Sequence, residues 1–306
     1  MNYQEQVFSS RLSMTTGTIF SIIACQFIQI KSSYNGGAVF VSNTNSEFNQ
    51  RFNEFSDNSG LDGGSVYINV KRAYSYGICI AYSKGGRGSG IYQICNSNNH
   101  MNSSATIHCS ATNFATWDLC YGIATANHVN TSYCSSPNRE AASHYGCGTT
   151  ICSTSFFTCC ANTGPGIFGP LSTQQSLMPH SFCNFIRNKP DKLGVIILWN
   201  GEHQFIKCVF LLNDGVTSSS GQGVYVGKGT LLYVNCCFDT SPSGYYLSTS
   251  NCQINKNPTT YFPIISVTGI CKVHDFIIEI PTQSKECTSG YPSKSRFLSF
   301  IVVVVL

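Results

Sequence analysis

Residues 53–68 read Asn53-Glu54-Phe55-Ser56-Asp57-Asn58-Ser59-Gly60-Leu61-Asp62-Gly63-Gly64-Ser65-Val66-Tyr67-Ile68. Two short runs are joined here by a polar link. In the first, Asn53 and Phe55 stand two apart and share one face of a strand. Asn58 follows Phe55 by three, and Asn tolerates left-handed backbone and bonds locally, which suits a turn. In the second run Gly63-Gly64 supplies the positive φ of a corner. Val66-Tyr67-Ile68 then alternates aliphatic, aromatic, aliphatic, the period of a strand.

Both runs have copies along the chain. Cys25-Gln26-Phe27, Cys183-Asn184-Phe185, Cys208-Val209-Phe210 and Cys236-Cys237-Phe238 repeat the first, with Asn188 and Asn213 again three residues after their Phe. Gly36-Gly37-Ala38-Val39-Phe40-Val41 and Gly221-Gln222-Gly223-Val224-Tyr225-Val226 repeat the second. A small residue followed by an aliphatic one recurs at Ala38-Val39, Ser65-Val66, Gly90-Ile91, Gly122-Ile123, Gly166-Ile167, Gly194-Val195 and Gly223-Val224. Cys109, Cys134, Cys159, Cys183 and Cys208 follow one another at intervals of 25, 25, 24 and 25 residues. Fixed periods of this size mean stacked units, each too small to bury its own hydrophobic face.

The expected fold is therefore all-β, a right-handed parallel β-helix of about nine to eleven rungs of roughly 25 residues, with strands spaced about 4.8 Å along the axis. No segment carries helical spacing with caps. The boundaries expected are an N-terminal segment 1–14, the β-helix 15–254, a last rung or cap 255–290, and an apolar tail 291–306. Between Asn98 and Thr163 the glycine-rich entries degrade, which predicts longer corners there. The five periodic cysteines are expected in one buried column, packed as small apolar groups. Equivalent Cβ atoms on neighbouring strands lie about 4.8 Å apart, wider than the 3.5–4.5 Å or so of a disulfide. Bridges are expected instead in irregular regions, at Cys147, Cys152, Cys271 or Cys287.

Composition narrows the function. Charged residues are 10% of the 306, while 42% are hydrophobic and 12% aromatic, so the chain folds. A net charge of +4 is small and scattered, and nucleic-acid binding would show a basic stripe. The 17 cysteines include no Cys-x-x-Cys pair, so no structural zinc module is expected. No signal peptide is evident before Ile19. Phe297 to Leu306 is apolar behind Lys294 and Arg296, and reads either as a membrane anchor cut short or as a terminal strand.

Phe-x-x-Asn paired with Gly-Gly-Ala-aliphatic marks the polymorphic outer membrane proteins of chlamydiae. The chain resembles that repeat family, and the Cys- and Asn-rich surface proteins of parasitic protists, over about residues 15 to 252. The carriers are Gly36-Gly37-Ala38-Val39, Phe55-Ser56-Asp57-Asn58 with Gly63-Gly64-Ser65-Val66, Phe185 to Asn188, and Phe210 to Asn213. The resemblance implies a β-helix displayed on a cell surface and active in adhesion.

Parallel β-helices also house polysaccharide lyases and hydrolases, which need clustered carboxylates. Asp and Glu number only 14, spread along the chain. Asp191 and Asp214 are the best candidates for neighbours on adjacent rungs, but both sit in turns, where Asp is common for local reasons. The histidines form no ligand spacing. No catalytic residue, metal site or cofactor is assigned. The best binding candidate is an outward aromatic column of Phe40, Tyr67, Tyr92, Phe168, Tyr225 and Tyr246, a wall on which a glycan or a cell-surface protein would dock. Asn102-Ser103-Ser104 and Asn130-Thr131-Ser132 are sequons. The leading expectation is a non-enzymatic, extracellular or surface-displayed binding protein. A carbohydrate-active enzyme, and an intracellular scaffold or truncated family member, are the alternatives.

Overall fold

The computed structural model describes residues 1–254, apart from short stretches at 138–140, 159, 163–166, 173–176, 191–193, 199, 214–223, 227–228 and 240–246. Among the described residues there is no helix; parallel strands about 26 residues apart stack as a β-solenoid. Each regular rung has three faces. The first two are halves of one sheet, because the long strands Val39–Arg51 and Val66–Tyr76 bend around the corner between them. The third is a separate sheet of eleven strands, from Val7–Phe8 to Gln253–Ile254. Expected segment 1–14 is not set apart from the solenoid. Asn2–Gln4 pairs with Ser21–Ile23, and Leu12–Met14 pairs with Val39–Val41. The expected cap 255–290 and tail 291–306 lie outside the described residues.

Alternation decides what is inside. On the third face Phe27 and Phe55 form one run of a single register column, and Phe157, Phe185, Phe210 and Phe238 a second run further along it. Their rings stack at 4.7 to 5.0 Å, 4° to 10° from parallel. Ile80, Thr106 and Thr131 fill the gap between the two runs. All these side chains are buried. The Asn three residues after Phe55, Phe185 and Phe210 bonds across rungs. Asn188 Nδ2 donates to Phe157 O at 2.8 Å, while its Oδ1 accepts from Cys160 N at 3.0 Å. Asn58 does the same with Phe27 O and Ile30 N. The left-handed residue of this corner is the one before the Asn: Asp57, Arg187 and Leu212 have φ of 52°, 54° and 53°. The opposite corner repeats this at Ala24, Phe52, Ser103, His128, Thr154, Phe182, Lys207, Asn235 and Asn251. Glycine is required elsewhere: a Cβ on Gly37 would lie 2.0 Å from Gly64 O, where successive rungs touch backbone to backbone.

The single cysteine column is corrected. Asn130 registers with Phe156, and Phe156 with Asn184, so Cys134 falls level with Cys160 and Asn188, not with Cys183. Cys109, Cys134 and Cys160 line the corner after the third face, and their thiols donate to Ile80 O, Thr106 O and Thr131 O. Cys183, Cys208 and Cys236 line the corner before it, with Cys25 in the same position, and theirs donate to Cys152 O, His180 O and Phe205 O. The interval near 25 survives the change of corner because a 28-residue step from Cys160 to Asn188 is offset by the five residues between Cys183 and Asn188. Cys159 lies outside the described residues. Cys134, Cys183 and Cys208 carry buried free thiols. Cys147 and Cys152, expected as bridge-formers, are buried thiols as well: Cys147 donates to Leu119 O at 3.3 Å, and Cys152 Sγ lies 3.8 Å from Cys183 Sγ. Cys271 and Cys287 lie outside the described residues.

Candidate ligand groove

On the outer side of the first face the strands bring Phe40, Tyr67 and Tyr92 into one register. Phe40 and Tyr67 stack at 5.3 Å, and Tyr92 meets Tyr67 edge-on at 5.4 Å. The next two positions in that column are Asp118 and Ser143, so the wall stops after three rings. Phe168 is not on it. Its register partners are Ala142 and Ile196, both buried, and its ring lies in the core, fully buried. The small-aliphatic step at Gly166-Ile167 is displaced by one residue against Ala38-Val39, and a one-residue slip reverses every side chain. The backbone of Tyr225 registers with Ile197, which is itself fully buried. Tyr246 lies outside the described residues.

The three-ring wall is already covered. Arg11 lies 4.7 Å over the Phe40 ring, its guanidinium donating to Asn35 O and Gly36 O. Arg87 is caged by the rings of Tyr92, Phe114 and Tyr145 at 4.4 to 4.7 Å. Its Nε donates to Asp118 Oδ2 at 2.6 Å, and Asp118 is fully buried. Burial pulls the Arg87 pKa down, but the Asp118 carboxylate and Cys120 outweigh it and the net shift is upward. Burial first, and then the neighbouring Cys120, raises Tyr92. This knot is structural: its cation is satisfied and its rings are occupied.

The open surface is one face further round. A shallow groove of about 700 Å³ crosses the outer side of the second face over four rungs. Register places Asn49, Tyr74, His100 and Thr125 in one row, and Arg51, Tyr76, Asn102 and Asn127 in the next. Tyr74 and His100 stack at 5.2 Å, 14° from parallel, and Phe52 meets Tyr76 edge-on at 5.4 Å. Partial burial lowers the His100 pKa, so the ring is neutral at pH 7. The inner side of the same strands holds a buried polar seam. Gln50 donates to Ser75, Ser75 to Gln93, and Gln93 to Asn99, at 2.6 to 2.9 Å. That chain fixes the strands on which the groove residues stand.

Apart from Asn102, named only as a sequon, none of these groove residues was singled out from the sequence. Their signal was available: Tyr74 and Tyr76, like His100 and Asn102, stand two apart at a separation of 26, with buried Ser75 and Met101 between them. No glycine entry flags that strand, because it continues directly from the preceding one around the corner. Among the described residues no carboxylate lines the groove. Glu47 pairs with Arg72 at 2.7 Å beside it, Asp118 is locked in the Arg87 knot, and Asp191 and Asp214 lie outside the described residues. Of the two sequon asparagines, Asn130 is buried and bonded to Ser132, whereas Asn102 stands in the groove. Among the described residues no cluster of three or more His, Cys, Asp or Glu could hold a metal ion, and no helix is long and apolar enough to cross a membrane. Set against protein-family models, curated proteins and solved structures, the chain matches none.

Proposed function

We propose that this protein is a non-enzymatic binding solenoid that recognises a glycan through the second-face groove, in an adhesive role at a cell surface. The observation that carries the reading is the composition of the groove: a stacked Tyr74–His100 platform beside Asn49, Asn102 and Asn127, with no Asp or Glu among the lining residues. Sugar rings present apolar C–H faces to aromatic rings and hydroxyls to amides, so this pairing of side chains suits them. Glycoside hydrolysis runs on a pair of carboxylates flanking the bond, and this groove supplies neither. The repeated Phe-x-x-Asn and Gly-Gly-Ala-aliphatic units support membership of the chlamydial-type repeat proteins and their protist counterparts, from which the surface location follows as part of the proposal. The test is a glycan array followed by calorimetry. Tyr74→Ala should weaken the best ligand about tenfold, the scale of one lost ring contact, with no change in the far-ultraviolet spectrum. Turnover of any bound polysaccharide by the wild-type protein would remove the non-enzymatic reading.

A further inference from the structure

Resting on that groove reading, the hydrogen-bonding groups of its walls go further, to the chemical class of sugar. Asn127 Oδ1 accepts from Ser153 Oγ at 2.6 Å, and Asn102 Oδ1 accepts from Ser103 Oγ at 3.1 Å and lies 3.3 Å from His128 Nδ1. Both amide carbonyls are thus used internally, and both NH2 groups remain without a partner among the described residues. Tyr74 Oη accepts from Asn98 Nδ2 at 3.3 Å, which leaves its own O–H to donate. Arg51 is exposed and makes no ion pair among the described residues, and Glu47, on the same strand, is neutralised by Arg72. The groove therefore offers donors and a cation, while much of its acceptor capacity is consumed by the protein.

We propose that the groove binds an acidic oligosaccharide, one whose rings carry carboxylates, laid along the solenoid axis with a carboxylate on Arg51. The direction follows from the register. The rows Arg51, Tyr76, Asn102, Asn127 and Asn49, Tyr74, His100, Thr125 run from rung to rung, spanning about 14 Å in three strand spacings. A planar carboxylate matches the two-pronged guanidinium of Arg51. A densely sulfated chain would call for a cluster of cations, and among the described residues Arg51 is the only Lys or Arg lining the groove.

The experiment uses the full chain and a matched pair of probes: an oligomer of a β-linked uronic acid and the same oligomer with its carboxyl groups reduced to neutral alcohols. Calorimetry should show the acidic form binding at least about tenfold tighter, with affinity falling as salt rises. Arg51→Gln should bring the acidic form down to the level of the neutral one, while Arg51→Lys keeps part of the preference. Equal binding of the two forms by the wild-type protein overturns the assignment of an acidic sugar and leaves the glycan groove standing. Tighter binding of a heavily sulfated oligomer than of the uronate also overturns it. Binding of neither form, together with a blank glycan array, removes both readings.

Discussion

Two buried polar groups carry more of the fold than their numbers suggest. Asn188 joins three rungs, donating to Phe157 O and accepting from Cys160 N, with Asn213 Oδ1 a further 3.1 Å away. Replacing it by Ala strands a buried carbonyl and a buried N–H, each costing about 1–3 kcal/mol. Asn188→Ala is therefore expected to lower unfolding free energy by about 2–4 kcal/mol in urea, whereas replacement of exposed Asn45 by Ala should change little. The Arg87–Asp118 pair is the second. Arg87→Ala leaves the fully buried Asp118 carboxylate without its cation, a loss of about 3–5 kcal/mol. The double replacement Arg87→Met with Asp118→Leu should recover much of that loss. A double variant no more stable than Arg87→Ala alone would show that the aromatic cage, not the charge, is what the arginine holds together.

At the scale of the strand and its corners, the device is a left-handed residue at each end of the third face. Such backbone costs an L-residue about 1–2 kcal/mol, and here most occupants are not glycine. The recurring geometry wins because each corner N–H is spent on a carbonyl of the next rung: Thr154 N donates to Ser181 O at 2.9 Å, and Lys207 N to Val234 O at 2.9 Å. Thr154, with φ of 48°, is β-branched, the type least suited to this region. Thr154→Asn, which keeps a side chain and tolerates the conformation, should raise stability by roughly 0.5–1 kcal/mol. A melting temperature unchanged or lowered in scanning calorimetry would count against strain at that corner.

Across the whole molecule, the core changes character from one end to the other. The N-terminal rungs are filled by Phe20, Ile22, Val39, Phe48 and Val66, while the later ones hold His144, His180 and His203, all buried. Cys152 N donates to His180 Nδ1, which makes His180 Nε2 the donor to His203 Nδ1 at 3.1 Å; His203 Nε2–H then bonds Asn200 O at 2.9 Å. Both rings are neutral in this chain, and an added proton has no acceptor. Burial pushes His203 down to about 4 and His144 to about 3, the latter helped by His203. A lowered histidine pKa means the unfolded chain binds more protons below pH 6.5, so stability is full above that value and falls as the pH drops toward 4. His203 alone accounts for about 3 kcal/mol of that loss below pH 4. Urea unfolding at pH 7.5, 5.5 and 4.5 should show the decline, and His203→Gln should make it shallower, His144 and His180 supplying the rest. A second global property is thiol protection. Cys134, Cys183 and Cys208 are fully buried, and should resist alkylation in the native state and label together on unfolding, whereas half-buried Cys252 labels first. Early labelling of Cys183 would mean the rungs open locally.

The repeat was legible without coordinates because stacking imposes one period on every rung, and Phe55, Phe185 and Phe210 with Asn58, Asn188 and Asn213 state it directly. Those residues fall in register as read. Phe168 and the cysteines did not, for one physical reason. Period alone does not give phase: rung length varies, with 25 residues from Thr106 to Thr131 and 28 from Phe157 to Phe185, so a near-constant spacing can step from one corner to the other, as it does between Cys134 and Cys183. Which residues face outward depends on that phase to the single residue, since adjacent side chains on a strand point to opposite faces. Only the folded register therefore put Phe168 in the core, laid Arg11 and Arg87 over the aromatic wall, and brought Arg51, Tyr74, His100 and Asn127, from four separate rungs, into one groove.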